Sequence, residues 1–266
     1  MSASLTVPAV LLDNLYSHAI ADTRWPEIGL RDLAANELWQ LCYQQCPQYC
    51  PRANVECVQH SAWFDARCQE LLRRNSNTRF ISIGAGLNTR FHRLSQSSDW
   101  PRFSWWDLEQ AEYSNCKRGL LPAVDNYQLQ EYQPDHLAAQ LRTIICSADT
   151  PVAVLMERPA LHFNRAQWDA LTLSLQALAV DIEINVMFDY VTALSQAWSR
   201  AAKSRAGYAR VRFTLAAKPT GGGLAKAQLL ERSCLSRGEL NRRFLGNLCG
   251  VWYAGHWRLS AGSVTS

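Results

Sequence analysis

Phe80-Ile81-Ser82-Ile83-Gly84-Ala85-Gly86-Leu87-Asn88-Thr89-Arg90 is the stretch on which the reading of this chain turns. An apolar run breaks at two glycines and continues into polar residues, the pattern of a buried strand, a tight turn and a helix over 88–94. Glycines let a backbone bend sharply and approach a ligand, and a helix start behind them offers unpaired N–H groups. Thr89 stands where the dinucleotide fingerprint has its third glycine, so the turn alone is incomplete as a nucleotide signature. Asp107 supplies a second element. It closes the apolar run 103–106, at the carboxyl end of the next strand and about 20 residues past the turn, where an acid holds ribose hydroxyls. Together they predict a Rossmann-like nucleotide half-site.

Working outward, strand and helix patterns alternate. Strands are expected at 80–83, 103–106, 126–132, 151–157, 182–188 and 210–216, with helices at 135–143 and 193–204. Asn164 followed three residues later by Gln167 reads as a capping box opening a helix whose inner face carries Trp168, Leu171, Leu175 and Leu178. Gly221-Gly222-Gly223 reads as a flexible connection, 229–244 as containing a helix, and 256–259 as a last strand, antiparallel at the sheet edge. The repeated β-α order predicts an α/β fold with a mostly parallel sheet. Residues 1–75 instead show helical spacing, with Leu11, Leu12, Leu15 and Tyr16 on one face, Leu33, Leu38, Leu41 and Cys42 on another, and Trp63, Phe64, Cys68, Leu71 and Leu72 on a third. This divides the chain into a helical extension, 1–75, suited to covering a pocket, and a core, 76–266.

The bulk numbers bound the function. With 48% hydrophobic and 19% charged residues in 266, the chain can bury a large core, and its formal charge of +4 is too small for a dedicated nucleic-acid binder. Arg200, Lys203, Arg205, Arg210 and Arg212 gather locally and read as a solvated helix face and strand. No apolar run is long enough to cross a bilayer, and nine cysteines without a secretory start fit reduced thiols in the cytoplasm. Cys42, Cys46, Cys50 and Cys57 match no zinc or iron-sulfur spacing and read as packing, so no metal site is expected. Trp100, Trp105 and Trp106 cluster beside the second strand and read as core packing with one ring at the sheet surface.

The string Gly84-Ala85-Gly86-Leu87-Asn88-Thr89-Arg90, with Trp106-Asp107-Leu108 and Met156-Glu157-Arg158-Pro159-Ala160-Leu161-His162-Phe163, resembles the leucine carboxyl methyltransferase family, which includes polyketide-type O-methyltransferases. The resemblance implies a class I methyltransferase fold that binds S-adenosylmethionine, a seven-stranded sheet with helices on both faces and an N-terminal helical lid. Carried over by position, Gly84 and Gly86 line the methionine end of the cofactor, and Asp107, beside Leu108, holds the ribose. Gln128 and Leu129 stand at the adenine, and Glu157 lies near the reactive centre. Three positions depart from the pattern: Asn88 and Gln128 replace aspartates, and His60 replaces a lid arginine that pairs with a substrate carboxylate, a role open to Arg24, Arg31 or Arg158.

The expected activity is methyl transfer to a carboxylate or hydroxyl oxygen of a small or carrier-bound acid in a biosynthetic pathway, with no membrane or nucleic-acid partner. A carboxylate needs no general base, whereas an alcohol or phenol needs one, for which His162 and Glu157 are the candidates, with Tyr190 and Asp189 following the next strand. The competing expectation is a non-catalytic or altered-cofactor relative that serves as a partner in a biosynthetic complex.

Overall fold

Phe80, Ile81 and Ile83 are all buried in β1 (Arg79–Ile83), as a strand covered on both faces requires. The computed structural model describes residues 9–45, 48–96, 103–121, 124–192, 214–215, 224, 227–236 and 252–259. The other strands are β2 (Ser104–Glu109), β3 (Tyr127–Glu131), β4 (Val152–Met156), β5 (Ile184–Tyr190), β6 (Gln228–Ser236) and β7 (Trp252–Leu259). They form one sheet in the order β3-β2-β1-β4-β5-β7-β6. The β2/β3, β1/β4 and β4/β5 pairs are parallel, and β7 runs antiparallel to both β5 and β6.

Two compact units divide the chain, Met1–Thr78 with Ala85–Glu131 and Arg79–Gly84 with Tyr132–Ser266. In the first, α1 (Ala9–Ala19), α2 (Ala21–Arg24), a 3-10 turn (Pro26–Ile28), α3 (Leu33–Gln45) and α4 (Val55–Arg74) precede the glycine turn. Then come α5 (Arg90–Ser95) and α6 (Ala111–Leu120). Leu11, Leu12 and Leu15 of α1 pack with Leu38, Trp39 and Cys42 of α3, with Leu87 of the glycine turn and with Cys116 of α6. Each such leucine withdrawn from water contributes about 1.5–3 kcal/mol. Leu33 and Leu41, expected on the inner face of α3, are exposed, because the stripe that faces α1 runs through Ala35, Leu38, Trp39 and Cys42.

A buried ionic network ties the N-terminal helices to α5. Arg90 Nε donates to Asp65 Oδ1 at 2.6 Å, and Arg93 donates to Asp65 Oδ2 through Nε at 2.8 Å and to Oδ1 through Nη2 at 3.0 Å. Arg93 also pairs with Asp32, which accepts from Thr89 Oγ1 at 2.7 Å and from the Ala35 amide at 2.9 Å, at the head of α3. Burial is the largest influence on both aspartates and works to raise their pKa, but Arg93 together with Arg90 at Asp65, and with His18, Thr89 and the Ala35 amide at Asp32, outweighs it and holds both below the usual carboxylate range.

The second unit holds β1, α7 (Leu137–Cys146), β4, α8 (Pro159–His162), α9 (Arg165–Leu178), β5, β6 and β7. The capping box is present: the Gln167 amide donates to Asn164 Oδ1 and the Asn164 amide to Gln167 Oε1, both at 2.9 Å. Three sequence expectations are corrected. Residues 228–236 form β6, paired along β7, so the first part of the segment expected to contain a helix, 229–244, is a strand and the rest, 237–244, lies outside the described residues. The last strand is antiparallel but lies between β5 and β6, not at the edge. α6 fills a segment where no element was expected. The segments 193–204 and 221–223, and all of 210–216 except Thr214 and Leu215, lie outside the described residues; Leu215 makes an isolated parallel bridge to Thr192. Among the described residues, no helix is long and apolar enough to cross a membrane.

Candidate functional site

The glycine turn has the geometry its composition implies. Gly84 and Gly86 have φ of 70° and 58°, the left-handed region that side chains with a Cβ rarely occupy. Gly86 is doubly constrained, because a Cβ there would come within 2.7 Å of Leu11 Cδ2 on α1. Asn88, carried over as a cofactor ligand, is engaged within the protein: its Oδ1 accepts from the Arg90 amide at 3.0 Å and from Arg93 Nη2 at 3.2 Å. Thr89 and Arg90 likewise serve the ionic network, so this polar tail of the turn anchors the helices that precede it.

On β2 the structure corrects the placement of the acid. The strand runs two residues beyond Asp107, whose carboxylate is buried and occupied: Trp105 Nε1 donates to Oδ1 at 2.7 Å, Tyr127 Oη donates to Oδ2 at 2.5 Å, and Lys117 Nζ lies 2.6 Å from Oδ2. Burial and the adjacent Asp107 charge raise the Tyr127 pKa, which keeps the phenol a donor. Glu109 ends the strand, on the face shared with Trp105 and Asp107. It is fully buried, and neither carboxyl oxygen makes a hydrogen bond. Burial, helped by Asp107, pushes it up to about 8, while Lys117 at 3.8 Å and the Gly86 and Ala85 amides oppose the shift. A buried acid at a strand end, facing amides without reaching hydrogen-bond geometry, lacks the partners such a group requires. Sequence reading stopped at Asp107; the alternation Trp105, Asp107, Glu109 was the available signal.

Other carried-over positions divide by depth in the sheet. Leu108 is core, on the β2 face opposite Asp107. Gln128 and Leu129 pair with Trp106 and Asp107, two or three residues short of the carboxyl end of β3, where Glu131 pairs with Glu109. His60 is buried in α4 with its ring 5.1 Å from that of Phe64, a packing position. Trp105 is buried and Trp106 half-buried, the division expected for the cluster, and Trp100 lies outside the described residues. Cys42 packs between α1 and α3, Cys50 is exposed, and Cys57 is buried with its Sγ 3.6 Å from His18 Nε2.

In the second unit, the carboxyl ends of β1, β4 and β5 gather the remaining candidates. Glu157 follows β4 half-buried, and Arg158 adopts φ 52°, ψ 48°, the one described non-glycine residue with positive φ. Such strain, about 1–3 kcal/mol, persists where the surroundings enforce it, here through the bond its amide donates to the buried carboxylate of Asp189 on β5. α8 then turns His162 back so that its ring lies against Gly84, 3.4 Å from where a Cβ would stand. Tyr190, the last residue of β5, is buried, and burial raises its phenol to about 12. Structure thus brings together His162 and the glycine turn, and Arg158 and Asp189.

Strand order and direction define the class I methyltransferase fold. The chain is similar to a Thermobifida fusca YX protein described provisionally as a methyltransferase, with 13% identity over 98% of this chain and 97% of that one, at a TM-score of 0.58. It is also similar to a DUF574 family protein from Streptomyces avermitilis MA-4680, with 13% identity over 92% and 96% and the same TM-score of 0.58. A third likeness, to the small RNA methyltransferase HEN1, has 10% identity over 75% of this chain and 25% of that one, at a TM-score of 0.50. No family model matches the chain, and no curated protein matches it in sequence. At these identities the likeness is one of fold.

Proposed function

We propose that this protein is an S-adenosylmethionine-dependent methyltransferase acting on an oxygen of a small or carrier-bound carboxylic acid. The observation that carries the reading is Glu109, a buried carboxylate without a hydrogen bond at the end of β2, beside the amides of a left-handed glycine turn. That donor set fits a ribose diol, whose hydroxyls supply the missing hydrogen bonds, so the ribose role carried over for Asp107 moves to Glu109. Asp107 and Lys117 become its supports. The left-handed backbone of Gly84 and Gly86 allows the methionine portion of the cofactor to approach it, and Glu157, after β4, keeps the cofactor role that the resemblance gives it.

When bound, S-adenosylmethionine supplies an electrophilic methyl group on a sulfonium. The chain's residues then orient the acceptor oxygen and keep water from it. A carboxylate acceptor is nucleophilic without help. For a hydroxyl acceptor, His162 Nε2, held against Gly84, takes the proton, and Tyr190, held neutral near pH 7, donates a hydrogen bond rather than acting as base. Arg158 serves the acceptor side. A second reading, a non-catalytic partner, is supported by the burial of His60 against Phe64, away from any carboxylate role.

The test is calorimetric titration of the full chain with S-adenosylhomocysteine, then a methyl-transfer screen of carboxylic and hydroxy acids. Saturable binding together with turnover of an acid supports the enzyme; binding without turnover across the screen favours the partner role. Folded protein that binds neither S-adenosylmethionine nor S-adenosylhomocysteine refutes the enzyme reading and favours the altered-cofactor or partner role.

A further inference from the structure

One guanidinium at the rim of the second unit has no part in the roles above. Arg232 of β6 pairs with Gly255 of β7, which pairs with Phe188 of β5; two residues further, Tyr253 pairs with Tyr190. Directly opposed residues of antiparallel strands project to the same face, so these side chains form one ladder. Its upper rung is Tyr190 and Tyr253 at 5.7 Å and 25°, and below it Phe188 stacks diagonally on Trp257 across Gly255, with centroids 4.1 Å apart. Arg232 leans over the upper rung, its Cζ 4.3 Å from the Tyr253 centroid. It therefore rises to the level of the last residue of β5, the sheet end at which open α/β folds bind ligands.

Arg232 is exposed and, among the described residues, none of the ion pairs to a carboxylate includes it. Its described interactions are with two aromatic rings, the Tyr253 face and the Tyr190 hydroxyl. A guanidinium braced in this way keeps its fork of donors for an anion while losing less side-chain entropy on binding.

We infer that Arg232, braced by Tyr253 and Tyr190, is a carboxylate-binding subsite that holds the acceptor by a carboxylate other than the oxygen that reacts. The inference deepens the methyl-transfer reading and rests on it. Distance separates the two groups. From β1, where Gly84 and His162 meet, to β7 is three strand spacings, about 14 Å. A carboxylate clasped by two guanidinium hydrogen bonds is also a poorer nucleophile, since its lone pairs are committed. The acceptor class is thus an elongated acid, a hydroxy acid or a dicarboxylate, with the reacting oxygen and the anchoring carboxylate at opposite ends.

The experiment uses benzoate as the carboxylate probe and benzamide as its uncharged counterpart, titrated into the full chain by saturation-transfer NMR. S-adenosylhomocysteine affinity is measured on the same samples. The expected result is benzoate binding at least tenfold tighter than benzamide. Arg232→Gln should weaken benzoate at least tenfold and Arg232→Lys by less, both leaving S-adenosylhomocysteine affinity unchanged. Benzoate binding that is absent, that benzamide equals, or that Arg232→Gln leaves intact overturns the subsite. Benzoate binding that depends on Arg232, in a wild-type protein that does not bind S-adenosylhomocysteine, keeps the anion subsite and overturns the methyl-transfer reading and the acceptor role built on it.

Discussion

Replacing Glu109 by glutamine should stabilise the protein and weaken its cofactor binding, opposite effects with one cause. In the folded chain Glu109 titrates at about 8, against 4.5 for the ordinary carboxyl, because burial without hydrogen bonds penalises its ionised form. A folded-state pKa raised in this way contributes stability that is fully present below the unfolded pKa and is lost as pH rises through about 8. Integrating between those values, ionisation costs the wild type about 1 kcal/mol at pH 5 and about 4 kcal/mol at pH 7.5. Glu109→Gln has no such cost, although its buried amide, like the carboxyl, leaves polar atoms unpaired at about 1–3 kcal/mol. The absolute gain is therefore smaller than 4 kcal/mol, but the gap between variant and wild type should widen by about 3 kcal/mol from pH 5 to pH 7.5. Urea unfolding at both pH values measures the gap. Above pH 8, where the wild-type carboxyl is ionised, the variant should lack the charge-assisted bonds to a ribose diol, about 1.5–3 kcal/mol, which is roughly tenfold to hundredfold in S-adenosylhomocysteine affinity. A gap that does not change with pH, or wild-type affinity in the variant, would refute the reasoning.

Three further outcomes follow from the same geometry. Because hydroxyl donors favour the ionised form of Glu109, S-adenosylhomocysteine affinity should rise about tenfold per pH unit toward pH 8 and level off above it; calorimetry from pH 6 to 9 that finds a flat profile counts against the assignment. Asp65→Asn leaves Arg90 and Arg93 buried with one carboxylate between them and should cost about 3–5 kcal/mol in urea unfolding. Since Asp65 and Asp32 titrate low when folded, their stabilisation is complete above the unfolded carboxyl pKa and lost as pH falls below it, so the variant should show a shallower acid transition by circular dichroism. Gly86→Ala should cost at least about 1–2 kcal/mol for its left-handed φ, plus displacement of Leu11, and should lower S-adenosylhomocysteine affinity; Leu11→Ala in the same chain should recover the steric part only.

The features legible along the chain are local ones. The strand and glycine turn at 80–90 were legible because an apolar run ending in Gly-x-Gly has few other uses, and the Asn164 capping box because its partners lie three residues apart. The alternation of strands and helices gave the α/β class and the parallel half of the sheet. The remaining features depend on partners distant in sequence. Asp107 and Glu109 look alike in a string of letters; that one is filled by Lys117, Tyr127 and Trp105 while the other makes no hydrogen bond and has Lys117 only at 3.8 Å depends on how β3 and α6 pack on β2. Asn88, carried over as a cofactor residue, also accepts from Arg93, and its neighbours Thr89 and Arg90 bond to Asp32 and Asp65 from the N-terminal helices, contacts between residues far apart in the chain. Residues 228–236 become a strand, and Arg232 a rim residue, only because β7 pairs on both sides. Backbone preference acts between neighbours and can be read along the chain; charge pairing, burial and sheet register act between residues that only folding brings together.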